Sequence, residues 1–261
     1  MILAFDVGNT ETSVGAFEGD VLRAHWRLTT TVDRTPDELG LLLHELLRAG
    51  SLDRASVAGA AIGSVVPSVT APLSEACEQW LGVSARVIDA RSALPIVLQV
   101  DEPLTVGADR ILNTLAASRI YRADSIIVDL GTATTYDCIT ADGVFLGGII
   151  APGLRTSADT LIRRTSKLPA TELVPPTHAI GTRTEECIRA GVLFGAADAI
   201  DGLVRRIKGE WPTPQVPRVV ATGGLAPLVA SLCKEVEQVE PFLTLYGLQI
   251  AFAILDQPPA K

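Results

Sequence analysis

A chain of 261 residues, 48% of them hydrophobic, exceeds the usual single-domain size and has apolar material for two buried cores. Thirty acidic against 22 basic residues leave a formal net charge of −8, which disfavours a broad phosphate-backbone contact and hence nucleic-acid binding. No apolar run reaches the roughly 18 residues that span a bilayer, and Met1–Asp6 has no basic leader, so a cytoplasmic protein without membrane association is expected.

In chain order, strand-like runs at 2–7, 12–17 and 21–27 are separated by turns at Gly8-Asn9 and Glu18-Gly19-Asp20, which predicts an antiparallel meander. Thr35-Pro36-Asp37-Glu38 opens a helix with Leu39, Leu42, Leu43, Leu46 and Leu47 on one face. A short strand at 57–62, a helix over 70–81 and a strand at 85–89 follow. The amphipathic segment 109–121 is the expected linking helix. Runs 125–130, 134–139 and 143–150 form a second meander, with breaks expected at Gly131, Ala141-Asp142-Gly143 and Gly147-Gly148. Helices over 153–164 and 184–208, a strand at 216–221, a helix at 225–233 and a terminal helix at 243–255 complete the pattern, with 257–261 expected to fray. Cys77, Cys138, Cys187 and Cys233 are widely spaced in apolar stretches and read as buried reduced thiols. His25, His44 and His178 lack ligand spacing, so zinc is not expected.

The order of elements repeats, and so does one motif. Leu3-Ala4-Phe5-Asp6-Val7-Gly8-Asn9-Thr10-Glu11-Thr12 recurs as Ile126-Ile127-Val128-Asp129-Leu130-Gly131-Thr132-Ala133-Thr134-Thr135 about half a chain later. Three strands followed by alternating helices and strands, twice over, predict a duplicated ribonuclease-H-like α/β fold. The domains are expected at 1–117 and 118–261. Two such turns facing one cleft can hold both ends of a nucleoside triphosphate.

No G-x-x-x-x-G-K-[ST] loop and no G-x-G-x-x-G follows any strand, so a phosphate site has to come from these turns. At Gly8 the backbone can turn sharply and aim amides at phosphate oxygens, with Asn9, Thr10, Thr12 and Ser13 as neutral donors. Asp6, at a strand end, suits magnesium held through water. The same residues also make an ordinary Asx-type hairpin, and it is the repetition that favours the phosphate reading. Thr222-Gly223-Gly224 after an apolar strand is either an adenosine turn or a plain strand-to-helix turn. Asp109 in Gly107-Ala108-Asp109-Arg110 is either a first-turn acid favoured by the helix dipole, with Arg110 its partner, or a general base for a substrate hydroxyl.

Taken together, Asp6–Thr10, Trp26-Arg27, Gly107–Arg110, Asp129–Thr135, Gly147–Gly153, Thr222–Gly224 and Leu243–Leu248 resemble the type III pantothenate kinases along nearly the whole chain. The resemblance implies ATP-dependent phosphorylation of pantothenate to 4′-phosphopantothenate, the first step of coenzyme A synthesis. It further implies a homodimer, Mg2+ with ATP, and activation by a monovalent cation, K+ or NH4+. By position, Asp6, Val7, Gly8, Asn9, Thr10, Glu11, Thr12, Ser13 and Thr132 would bind ATP. Asp129 would hold the monovalent cation, and Asp109 would accept the proton. Gly107, Ala108, Asp109 and Arg110 would surround pantothenate, with Thr184 reaching it across a dimer interface. The chain departs from the family pattern at Val100, where Tyr is common, at Arg183 in Gly181-Thr182-Arg183-Thr184, and at Glu11, which sets a negative charge beside the phosphate turn. A kinase for another small molecule and a non-catalytic ATP-binding regulator are the alternatives; the three separated carboxylates Asp6, Asp109 and Asp129 argue against the second.

Overall fold

In the computed structural model, which describes residues 1–30 and 32–256, the chain divides into two compact units. One holds Met1–Ala116 together with the chain from Leu243 onward; the other holds Ala117–Phe242.

The first unit begins with β1 (Ile2–Val7), β2 (Glu11–Glu18) and β3 (Val21–Thr29), an antiparallel meander. Helix α1 (Pro36–Ala49) follows. Its start is fixed by a capping box: the Thr35 hydroxyl accepts from the Glu38 amide at 3.3 Å, and the Glu38 carboxylate accepts from the Thr35 amide at 2.8 Å. Strand β4 (Gly59–Ser64), helix α2 (Pro67–Ala76, prolonged by a wider turn over Cys77–Leu81) and β5 (Ala85–Ile88) complete a sheet of order β3-β2-β1-β4-β5. β4 lies parallel to β1 and to β5. Leu3, Phe5 and Val7 of β1 and Ala60 and Ile62 of β4 pack under Leu39, Leu43 and Leu47 of α1 and Leu73 and Ala76 of α2. The alternate residues of β4 are Gly59, Ala61 and Gly63. A two-residue strand β6 (Val97–Leu98) precedes α3 (Ala108–Ile120).

The second unit contains β7 (Ser125–Leu130), β8 (Ala133–Ile139), β9 (Val144–Pro152), α4 (Leu154–Arg163), α5 (Thr184–Gly209), β10 (Arg218–Thr222), α6 (Ala226–Val229) and β11 (Gln238–Val239). Its own strands run β11-β10-β7-β8-β9, with β7 antiparallel to β8 and parallel to β10. Ile126, Val128 and Leu130 pack against Leu193, Ala197, Ile200 and Val204 of α5, with Leu154 and Val229 closing the cluster. Each unit therefore has the same strand order and sense, the duplicated ribonuclease-H-like arrangement. A register shift falls at Ala16/Phe17 in one meander and at Cys138/Ile139 in the other, three residues beyond the partner of the strand-end aspartate in both.

Four features differ from expectation. The terminal helix α7 (Leu243–Leu255) belongs to the first unit, not to a domain running from 118 to the end. The small face of β4 explains this: Phe252 occupies the space that a side chain at Gly59 would need, and Leu248 lies over Gly63. Tyr246 meets Phe17 edge to face at 5.6 Å, and Gln249 donates to Asp20 at 3.0 Å. Helix α3 is not amphipathic in burial, because Ile111 through Ser118 are all buried, and Asn113 accepts from the Thr244 hydroxyl at 3.0 Å. Gly147-Gly148 does not break β9 but lies opposite Cys138 and Asp137, where the strand bulges. Cys187 is exposed on the first turn of α5, whereas Cys77 and Cys138 are buried and Cys233 is half-buried. Burial pushes the Cys77 thiol up to about 12, and burial together with Asp201 and Asp198 does the same for Cys233. The expected fraying at 257–261 lies outside the described residues.

One buried carboxylate ties the second unit together. Asp124 accepts from the Ala141 amide (2.9 Å), Trp211 Nε1 (2.8 Å) and the Thr213 hydroxyl (2.9 Å). Burial alone would raise its pKa, but these three donors outweigh burial and hold it below the usual carboxylate value. A depressed folded-state pKa stabilises above the unfolded value of about 3.9, and the contribution is lost as pH falls through the folded one. The melting temperature of wild type should thus fall more steeply below about pH 4 than that of Asp124→Asn. Parallel melting curves for the two proteins would remove Asp124 from this role.

Candidate nucleotide and substrate site

Both strand-end aspartates stand where β1 and β7 deliver them. Asp6 pairs with Ser13 on β2 and Gly63 on β4; Asp129 pairs with Thr135 on β8 and Thr222 on β10. Both are half-buried. The turns beyond them close the same way: the Gly8 amide donates to Glu11 O at 3.1 Å, and the Gly131 amide donates to Ala133 O at 3.0 Å.

In the first unit, Asn9, Thr10 and Glu11 are exposed at the tip, Ser13 is half-buried, and Thr12 is buried. Thr12 shares a hydrogen bond of 2.8 Å with the Thr30 hydroxyl, and the Thr30 amide donates to Thr10 O at 3.0 Å. Thr30 therefore anchors the turn, a role that sequence pattern does not signal because no apolar periodicity marks that position. The Glu11 carboxylate lies 3.9 Å from the Arg27 guanidinium, each side chain about half exposed. That pair is worth little as stability, but it offsets the negative charge beside the turn. From the end of β4, the Val65 amide donates to Val7 O at 3.1 Å, and the Val65 side chain lies against Gly107. The turn and the Gly107–Arg110 motif are therefore both neighbours of Val65. That residue is found only once β4 is seen to run beside β1. Asp109 and Arg110, half-buried in the first turn of α3, share one local contact: the Arg110 amide donates to Asp109 Oδ1 at 2.8 Å.

In the second unit, three glycine-bearing segments meet. Gly223 has φ +88°, a conformation that only glycine adopts without strain, and a Cβ there would stand 2.4 Å from Asp129 Oδ1 and 2.8 Å from Leu130 O. Gly153, ahead of α4, lies equally close to the carbonyls of Gly131 and Thr132. Thr132 itself is exposed, and its carbonyl accepts from the Thr156 hydroxyl at 2.7 Å. Thr184 is exposed as the first residue of α5. The Glu186 carboxylate organises that end, accepting from the Thr182 amide and hydroxyl and the Arg183 amide, and those bonds lower its pKa. Val100 is half-buried between β6 and α3.

Duplicated ribonuclease-H-like units, each with an aspartate near the end of its first strand and a glycine turn after it, give the fold of the actin-like ATPase class. Solved structures agree on the fold. A Baf family protein of Campylobacter jejuni superposes with a TM-score of 0.59 at 18% identity, covering 97% of this chain and 98% of that one. The component A of (R)-2-hydroxyglutaryl-CoA dehydratase from Acidaminococcus fermentans does so at 0.56 and 16%, covering 96% and 95%. Within the class, the sequence family is particular. The family model for type III pantothenate kinase matches residues 2–206, and the type III pantothenate kinase of Roseiflexus castenholzii is 44% identical over 98% of this chain and its own full length. The chain belongs to the type III pantothenate kinase family.

Proposed function

We propose that this protein transfers the γ-phosphoryl group of ATP to the terminal hydroxyl of pantothenate, giving 4′-phosphopantothenate and ADP in the cytoplasm. The observation that carries the reading is the strand–Asp-x-Gly–hairpin built twice in matching strand surroundings, with Asp109 heading a helix beside the first copy. The hydroxyl oxygen forms a bond to the γ-phosphorus as the bond to the bridging oxygen of ADP breaks, and the hydroxyl proton passes to Asp109. Residues 6–13 and Thr132 line the phosphates, and Gly107–Arg110 hold pantothenate. Phosphoryl transfer asks the protein mainly for positioning and charge neutralisation, and no P-loop lysine is present here to supply the latter.

The donor chemistry fits the cations. Asp6 is a half-buried carboxylate at the strand end before the Gly8 turn, which suits magnesium held partly through water. Asp129 Oδ1 and Leu130 O both lie beside Gly223, two oxygen donors of the kind K+ or NH4+ would take. Held by Asp6 and Asp129, such ions would supply positive charge to the phosphates. The measurement is ADP release with magnesium-ATP, pantothenate and NH4+, K+ or Na+, with the product weighed. A product heavier by one phosphoryl group, formed only with an activating cation, is expected. ATP binding without phosphopantothenate under any cation would favour a regulator and turn attention to Val100, Glu11 and Arg183.

Thr184, exposed at the head of α5, is assigned to pantothenate held by a second copy of the chain. Sedimentation at micromolar concentration is expected to give twice the monomer mass, and a monomeric mass would sink that assignment.

A further inference from the structure

We infer that Gly107 is a positioning residue for the Asp109 carboxylate, an inference that rests on the reading of Asp109 as the base. Gly107 is the residue at which α3 begins: its carbonyl accepts the first helical bond, from the Ile111 amide at 3.2 Å. Such a position usually carries Ser, Thr, Asp or Asn, whose side chain accepts from the amide two or three residues on. Glycine cannot do so. The task falls to Asp109, whose Oδ1 accepts from the Arg110 amide at 2.8 Å. To reach it, the carboxylate lies across the bare Cα of Gly107: a Cβ there would stand 2.5 Å from Oδ1 and 3.6 Å from Cγ. Among the described residues, this amide is the one group that hydrogen-bonds the Asp109 carboxylate, so Oδ2 is left for the substrate proton.

The geometry separates the fold from the chemistry. Gly107 is not among the residues with positive φ, so alanine fits the backbone. The other atom near the added methyl, Val65 Cγ1 at 3.5 Å, is in ordinary contact. What must move is the far end of the Asp109 side chain. A better helix start, with Ser at 107, would compete for the Arg110 amide and turn the carboxylate away.

The test is a four-protein cycle of wild type, Gly107→Ala, Asp109→Asn and the double variant. Gly107→Ala should melt within a few degrees of wild type, alanine starting a helix less well than glycine, keep its KM for ATP, and lose about 10–10²-fold in kcat, the scale of an ångström's misplacement of a reacting group. In the Asp109→Asn background the same change should cost nothing further. A Gly107→Ala kcat within twofold of wild type, or a full additional loss on top of Asp109→Asn, overturns the inference while leaving the base assignment standing. Near wild-type turnover by Asp109→Asn alone overturns the base assignment instead. Should Gly107→Ala melt early, Gly107→Ser, whose hydroxyl caps the helix, carries the same comparison.

Discussion

Asp109→Asn is expected to lower turnover about 10²–10⁴-fold, the range that general acid–base catalysis supplies. The amide keeps the shape of the carboxylate, and its oxygen still accepts from the Arg110 amide, so the start of α3 stays capped. What it loses is the ability to take the hydroxyl proton. Among the described residues the Asp109 carboxylate bonds only the Arg110 amide, within its own helix start, so ATP affinity should change little. Single-turnover kinetics alongside ATP titration would check this. A variant with full turnover, or one that has lost ATP binding along with turnover, would mean that Asp109 is only a helix-start acid. The first-turn reading and the catalytic one place the same acid at the same helix start, which is why sequence alone leaves them open.

Much of the site was legible because each chemical group follows an apolar strand whose length is easily read. Asp6 and Asp129 fall at strand ends within a residue of expectation, and Thr184 opens its helix as predicted. What pattern could not supply was lateral adjacency. Nothing in Gly59-Ala60-Ala61-Ile62-Gly63 says that its small face receives α7, so the terminal helix was assigned to the wrong half. Thr30 and Val65 each reach the first turn through a backbone amide, with the Thr30 hydroxyl adding a bond to Thr12, and such isolated bonds leave no periodic trace. The duplication proved deeper than the two motifs that revealed it. All five strands of each unit correspond, Ser64 follows β4's contact with Asp6 as Gly223 follows β10's with Asp129, and even the bulges coincide. The two copies diverge at the residue after each aspartate's partner. Ser64 carries a side chain that bonds the Val66 amide at 3.0 Å, whereas Gly223 is bare and admits the Asp129 carboxylate.

Gly153→Ala is expected to damage the second Asp-x-Gly turn more than any loss of a side-chain contact would. Gly153 has φ −68° and ψ 161°, an ordinary extended conformation, so alanine brings no backbone strain. The cost comes entirely from space: its Cβ would stand 2.2 Å from Thr132 O and 2.6 Å from Gly131 O. Both obstacles are main chain, and no rotamer relieves them. The turn and the head of α4 are also tied directly, by Thr156 donating to Thr132 O at 2.7 Å and by Pro152 pairing with Ala133. Either the turn moves off the strand end or α4 shifts with its buried Leu154 and Ala158. Overpacking of this kind costs about 1–3 kcal/mol, which a melting curve would register as a drop of several degrees. Because the displaced atoms flank Thr132, ATP affinity should weaken about tenfold, equivalent to about 1.4 kcal/mol, while pantothenate binding to the first unit changes less. Calorimetric titration with each ligand separates these. Unchanged ATP affinity in a destabilised Gly153→Ala protein would show that residues 131–132 do not line the phosphates, and would leave the first turn as the phosphate site.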